Sequence, residues 1–131
     1  VGKSIDDGTL LLILNLNLTD LSLKSGNYDN AAEYCHATEK YLYEKNLKNS
    51  QWVEMKKLAG KISIHREDYE KAMFQFDEAL GVSEELGLQF DIADLLFEKG
   101  QLYFATKKHM EALQMLERAL KLFHKLFKSS T

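Results

Sequence analysis

Cys35 and His36 come nearest, in this sequence, to a nucleophile beside its base. A thiol attacks only as the thiolate, and the base must reach the sulfur. Neighbours on a helix point about 100° apart, so on a helix these two do not face each other. The remaining histidines, His65, His109 and His124, form no cluster at metal-ligand spacing, so no metal site is expected. Carboxylates are plentiful, among them Glu84-Glu85 and Asp91 with Asp94. Acid–base work needs a second group positioned against them, and without one they read as solvated helix surface. The glycines are dispersed, so no loop is built to cradle a phosphate. The pairs Lys56-Lys57 and Lys107-Lys108 lack interleaved aromatics, which argues against nucleic acid. These residues predict neither catalysis nor a bound cofactor.

The elements that carry them belong to one domain. The chain has 131 residues, 45% hydrophobic and 28% charged, with a net charge of −3. That is enough apolar material for a core, and too little net charge for disorder. Proline is absent, which disfavours sandwiches and barrels that place it at edges and turns. One cysteine forbids an internal disulfide and suggests a reducing, cytoplasmic setting. The densest apolar run, Leu10 to Leu14, has five residues, far short of the roughly 20 that span a bilayer. Ser4-Ile5-Asp6-Asp7 before it is acidic, unlike a secretory signal. The first residue is not Met, and the chain is expected to be a piece of a longer one. Charge is segregated: Glu67 to Glu98 holds ten acids and one base, Lys107 to Lys128 six bases and two acids. Such blocks read first as solvated helix faces, and the basic residues near the last helix's C-terminus suit its dipole.

A repeat organises the chain. Gly26-Asn27-Tyr28-Asp29-Asn30-Ala31, Glu67-Asp68-Tyr69-Glu70-Lys71-Ala72 and Lys107-Lys108-His109-Met110-Glu111-Ala112 superpose, with the alanines 41 and 40 residues apart. The match continues through Cys35, Phe76 and Leu116, and then Thr38, Ala79 and Ala119. Twelve residues before each alanine stand Thr19, Gly60 and Gly100. Small residues at one point on a first helix let a second approach, and a large residue between two alanines fills the gap. Each unit is therefore predicted to be two antiparallel helices, and stacked units share a core. The helices are expected near 9–25, 28–46, 50–66, 69–86, 89–106 and 109–128. Asn46 and Gly87 share a register that suits a left-handed helix end. Leu12, Leu14, Leu16 and Leu18 alternate with Ile13, Asn15 and Asn17 as in a strand, but the repeat register places them on a helix.

The pattern resembles the tetratricopeptide repeat (TPR) family, over about residues 9 to 128. Its small residue of helix A and Tyr-x-x-Ala-x-x-x-(large)-x-x-Ala of helix B are matched by Gly60, Tyr69, Ala72, Phe76 and Ala79. The third unit matches with Leu96, Gly100, Tyr103, Ala112, Leu116 and Ala119, and the first with Leu18, Gly26, Tyr28 and Ala31. Thr19, Thr38, Ser63 and His109 depart from the motif, and no proline closes a unit. The period of about 40 resembles the longer-helix subclass of LGN-like and kinesin-light-chain-like scaffolds and bacterial peptide-sensing regulators. The resemblance implies an all-α fold, a right-handed superhelical array of three hairpins (about 9–46, 50–87 and 89–128), acting as a protein- or peptide-binding scaffold. The alternative is the peptide-sensing segment of a bacterial transcription regulator.

The family's ligand-facing register implies a groove on the first helix of each hairpin. It carries Leu16 and Asp20, then Lys57, Lys61, Ile64 and His65, then Phe97, Gln101 and Phe104, with Ile13, Leu23, Lys24, Glu54, Asp94 and Ala105 beside them. Chaperone-tail receptors of the family hold a carboxylate with Lys, Asn and Arg. Leu16, Asp20, Leu58, Asp94 and Glu98 occupy those positions here, which argues against that partner. The expectation is apolar walls (Ile64, Phe97, Phe104) around a basic centre (Lys57, Lys61, His65), taking a peptide with an apolar anchor. No membrane partner is expected. The first and last helices carry more apolar surface than a one-sided helix needs. That predicts further repeats, or a homodimer through the terminal helices.

Overall fold

The computed structural model describes residues 7–129. They form six helices: α1 (Asp7–Lys24), α2 (Tyr28–Glu44), α3 (Ser50–His65), α4 (Tyr69–Leu86), α5 (Gln89–Ala105) and α6 (His109–Ser129). The fold is all-helical, with no strand among the described residues. All but Asp7 of the acidic stretch read before the first helix lies outside them. The leucine alternation in 12–18 is helical. Leu12 and Leu16 are buried there, one turn apart, and Leu14 and Leu18 are exposed. A strand would put all four on one face.

One turn is used five times. Within the hairpins Gly26, Glu67 and Lys107 take φ of +80°, +60° and +64°, and between them Asn46 and Gly87 take +55° and +69°. Around each, one amide bonds back three residues and the next amide five, as in Gly26 N–H to Leu23 O (3.1 Å) and Asn27 N–H to Ser22 O (2.8 Å). This arrangement satisfies the carbonyls left open at a helix end. Glu67 and Lys107 adopt it with a side chain, against the usual steric cost. The following helices start on polar caps where one is needed: Asn49 accepts from Trp52 N–H and Asp68 from Lys71 N–H.

The small-residue register is the hinge of each hairpin. Ala31, Ala72 and Ala112 are buried, as are Thr38, Ala79 and Ala119. A Cβ on Gly60 would meet three atoms of the fully buried Phe76 ring at under 3 Å. On Gly100 it would meet Leu116 Cδ2 at 2.6 Å. In the first hairpin Thr19 stands in the register of Gly60 and Gly100, and Cys35 in that of Phe76 and Leu116; both are buried. Three buried hydroxyls donate to their own helix, Thr19 to Asn15 O, Thr38 to Tyr34 O and Ser83 to Ala79 O, while Ser63 donates across the hairpin to Gln75 Oε1 at 2.7 Å. The first hairpin therefore keeps the geometry despite its departures. Successive hairpins stack through α2 on α3 and α4 on α5, with α1 also reaching α3. One core runs through all three, from Leu12 to Ala119.

Candidate functional site

Cys35 lies in this core, its Sγ 3.7 Å from Met55 O. Burial first, then the Glu39 carboxylate, pushes the thiol up to about 12, with Lys56 pulling the other way. It is protonated at neutral pH. His36 is exposed and lies 3.9 Å from Glu39. The two are not arranged as nucleophile and base.

The charged centre of the stack is formed where α5 crosses α3. Lys57 Nζ lies 2.6 Å from Asp94 Oδ2, 3.2 Å from Glu54 Oε1 and 3.9 Å from Asp91 Oδ1. Burial alone would lower this ammonium's pKa. The hydrogen bonds and charges of Asp94 and Glu54 outweigh it and hold Lys57 above the ordinary lysine range. Lys61 Nζ meets Glu98 Oε2 at 3.4 Å. Burial raises Glu98, against the opposing charge of Lys61, and burial likewise raises Asp91, against Lys57. The expected basic centre is thus neutralised from within. Lys57 is only 8% exposed and ties α3 to α5, because acids three residues apart on α5 bracket it.

The nine expected groove residues divide into three groups. Asp20, Lys61, Ile64 and His65 meet in a hollow of about 250 Å³ between α1 and α3, with Leu23 and Lys24. Leu16 and Lys57 are buried and do not line it. Phe97, Gln101 and Phe104 form a separate exposed stripe on α5, where Phe104 meets His109 edge-on with ring centroids 6.2 Å apart. A second hollow of about 370 Å³ opens beside the first. Its lining includes Asp20, Glu54 and Asp91 together with Ile13 and Leu16, and no basic side chain. Asp20 belongs to both hollows, while its other neighbour Lys24 bridges to it at 3.0 Å.

The sequence did not point to Tyr28, whose ring stacks on His65 at 3.9 Å between centroids. It comes from the start of α2, and the hairpin turn brings it beside the end of α3. Nor did it point to the hollow of about 390 Å³ between α4 and α5, where Tyr69, Met73 and Phe74 meet Leu102 and Tyr103.

The stretch from Ala93 in α5 to Phe123 in α6 holds the Gly100–Leu116 crossing, the turn at Lys107 and the buried Ala112 and Ala119. Residues 93–123 match the family model of the tetratricopeptide repeat. The third hairpin is a TPR-type unit; the second repeats its turn, its glycine crossing and its alanines, and the first repeats its turn and Ala31, with Thr19 and Thr38 at the other small positions. No curated protein matches the chain. TPR-type arrays serve in general as protein-interaction scaffolds. No described helix is long and apolar enough to cross a membrane.

Proposed function

We propose that the face formed by α1, α3 and the start of α5 binds an extended peptide segment carrying a basic residue two positions from an apolar one. The observation that carries this is the acidic hollow of Asp20, Glu54 and Asp91 opening beside the hollow of Leu23 and Ile64. An extended chain rises about 3.3 Å per residue and turns every second side chain to the same face, so side chains two residues apart reach adjoining hollows. The apolar side chain supplies affinity by burial, and the carboxylates select the charge and steer the encounter. On this face five carboxylates (Asp20, Glu54, Asp91, Asp94 and Glu98) surround three lysines (Lys24, Lys57 and Lys61), each already bridged, so the excess charge is acidic and favours a basic ligand. This replaces the basic centre expected from residue types alone with a preference of opposite sign. The chain acts in this reading as an adaptor module, with no chemistry of its own.

The test is selection from a displayed random-peptide library on the immobilised 131-residue chain, followed by fluorescence polarisation on the enriched peptides. Peptides with Lys or Arg two positions from an apolar residue should be enriched, and their binding should weaken with salt. Asp20→Lys and Ile64→Ser should each weaken it at least tenfold while leaving the circular dichroism unchanged. Enrichment of acidic peptides, or equal binding to Asp20→Lys, refutes the proposal.

A further inference from the structure

The two internal joints of the stack share a register, and the outer faces of α1 and α6 carry the same register without a neighbour. Residues of α1 correspond to residues of α3 forty-one positions later and of α5 a further forty. Leu14 thus corresponds to Met55 and Leu95, which are 1% and 0% exposed because the preceding hairpin covers them, yet Leu14 is 48% exposed. Leu21 corresponds to Ile62 and Leu102, buried at 5% and 3%, and is itself 62% exposed. Leu11, in the register of the buried Trp52, is exposed in the same way. With Leu18 these leucines lie at steps of three and four residues, so they form one stripe along α1.

The opposite end is the matching half. On α4 the flank covered by α5 includes Leu80 at 9% exposure, and the equivalent residue of α6, Leu120, is 57% exposed. Met73, packed against the core, corresponds to the exposed Leu113. On α5, Phe97 stands in the register of Leu16 and Lys57, each 8% exposed beside a following helix, and is 41% exposed.

We propose that copies of this chain stack head to tail, the α1 face of one on the α6 face of the next, reproducing the internal joint. The occupant is a second copy because the two exposed faces are the two sides of a joint this chain already makes twice. At α2/α3 and α4/α5 the equivalent face of the later hairpin's first helix packs on the flank of the preceding hairpin's second helix. The interface is therefore heterologous, and each added copy presents a fresh face of both types. It does not depend on the peptide-binding reading, since the seam lies on the outer flanks of the terminal helices.

Sedimentation velocity on the 131-residue chain and two variants tests this. Wild type should show species above the monomer that grow with concentration. Leu14→Glu and Leu120→Glu should each sediment as monomers, because each lacks one half of the joint. An equimolar mixture of the two should form a one-to-one dimer and nothing larger, because one intact face of each type remains. Leu21→Glu and Leu113→Glu repeat the experiment at independent positions, with circular dichroism confirming that each variant is folded. A wild type that stays monomeric to millimolar concentration overturns the proposal. So does a mixture that stays monomeric, or a single variant that dimerises with itself, which would mark a symmetric interface.

Discussion

Gly60, Gly81 and Gly100 lie in the interiors of α3, α4 and α5, and alanine at each separates helix propensity from crowding. Alanine is favoured over glycine in a helix interior by about 0.8–1 kcal/mol. At Gly81 of α4 a Cβ meets nothing within 4 Å, so Gly81→Ala should gain most of that. At Gly60 the Cβ would strike three ring atoms of Phe76, which is 0% exposed and has no free space to swing into. Overpacking of this kind costs about 1–3 kcal/mol, so Gly60→Ala should be destabilising by about 1 kcal/mol net. At Gly100 the obstacle is the half-buried end of Leu116, which can change rotamer, so the two effects should nearly cancel. At roughly 4 °C per kcal/mol for a domain of this size, the midpoints should order as Gly81→Ala above wild type and Gly100→Ala, with Gly60→Ala lowest. Thermal and urea melts followed at 222 nm would read it. Phe76→Leu, the side-chain type that the third hairpin carries at Leu116, should reduce the cost of Gly60→Ala in a double-mutant cycle. If Gly60→Ala raises the midpoint as far as Gly81→Ala, close approach at that crossing does not control stability, and the repeat logic fails.

Lys57→Met should cost about 2 kcal/mol at pH 7, below the 3–5 of a fully buried broken pair because Glu54, Asp91 and Asp94 remain about a third exposed. Asp91, which burial raises and Lys57 lowers, would rise further without that ammonium, so the variant should recover stability relative to wild type as pH falls towards 4; a constant difference in urea midpoints between pH 7 and 4.5 refutes this. Cys35, at about 12, stays protonated in the native state while the unfolded thiol ionises near 9, so stability should fall as pH rises above 9, and less so in Cys35→Ala. Labelling by a thiol reagent at pH 8 should accordingly track unfolding; fast labelling of native protein refutes the burial. Lys107→Gly and Glu67→Gly should each stabilise by about 0.5–1 kcal/mol by relieving a left-handed residue, read as a rise in urea midpoint, whereas alanine there should not.

The helix boundaries and the crossings were legible because they rest on local rules. A 41- and 40-residue spacing of alanines is visible without coordinates, and Gly60 with Phe76 and Gly100 with Leu116 follow from it, since only a missing side chain admits so close a helix. The left-handed turns at Asn46 and Gly87 were legible for the same reason, because those residue types tolerate that conformation. Glu67 and Lys107 were not: their types argue against it, and the hairpin imposes it. The apolar excess on the first and last helices was also visible, as a count of leucines. That Leu14 and Leu120 stand in the registers of Met55 and Leu80 needed the buried fraction of each.

Electrostatic character was decided by the tertiary structure alone. Lys57, Lys61 and His65 share a helix face, and side-chain types on one helix suggest a basic centre. Of the carboxylates that cancel it, Glu54 lies one turn away on the same helix, but Asp91, Asp94 and Glu98 come from α5, thirty-seven residues further along in the pairs of Lys57 with Asp94 and Lys61 with Glu98. A Coulomb interaction depends on distance and on burial, and both are set by how α5 lies across α3. The sequence by itself determined that this chain is a stack of three helical hairpins with its small residues at the crossings, because those follow from residue size at a fixed period. Only the stacking decided that the face between them is acidic, because charges far apart along the chain cancel or add only once the fold brings them within a few ångströms.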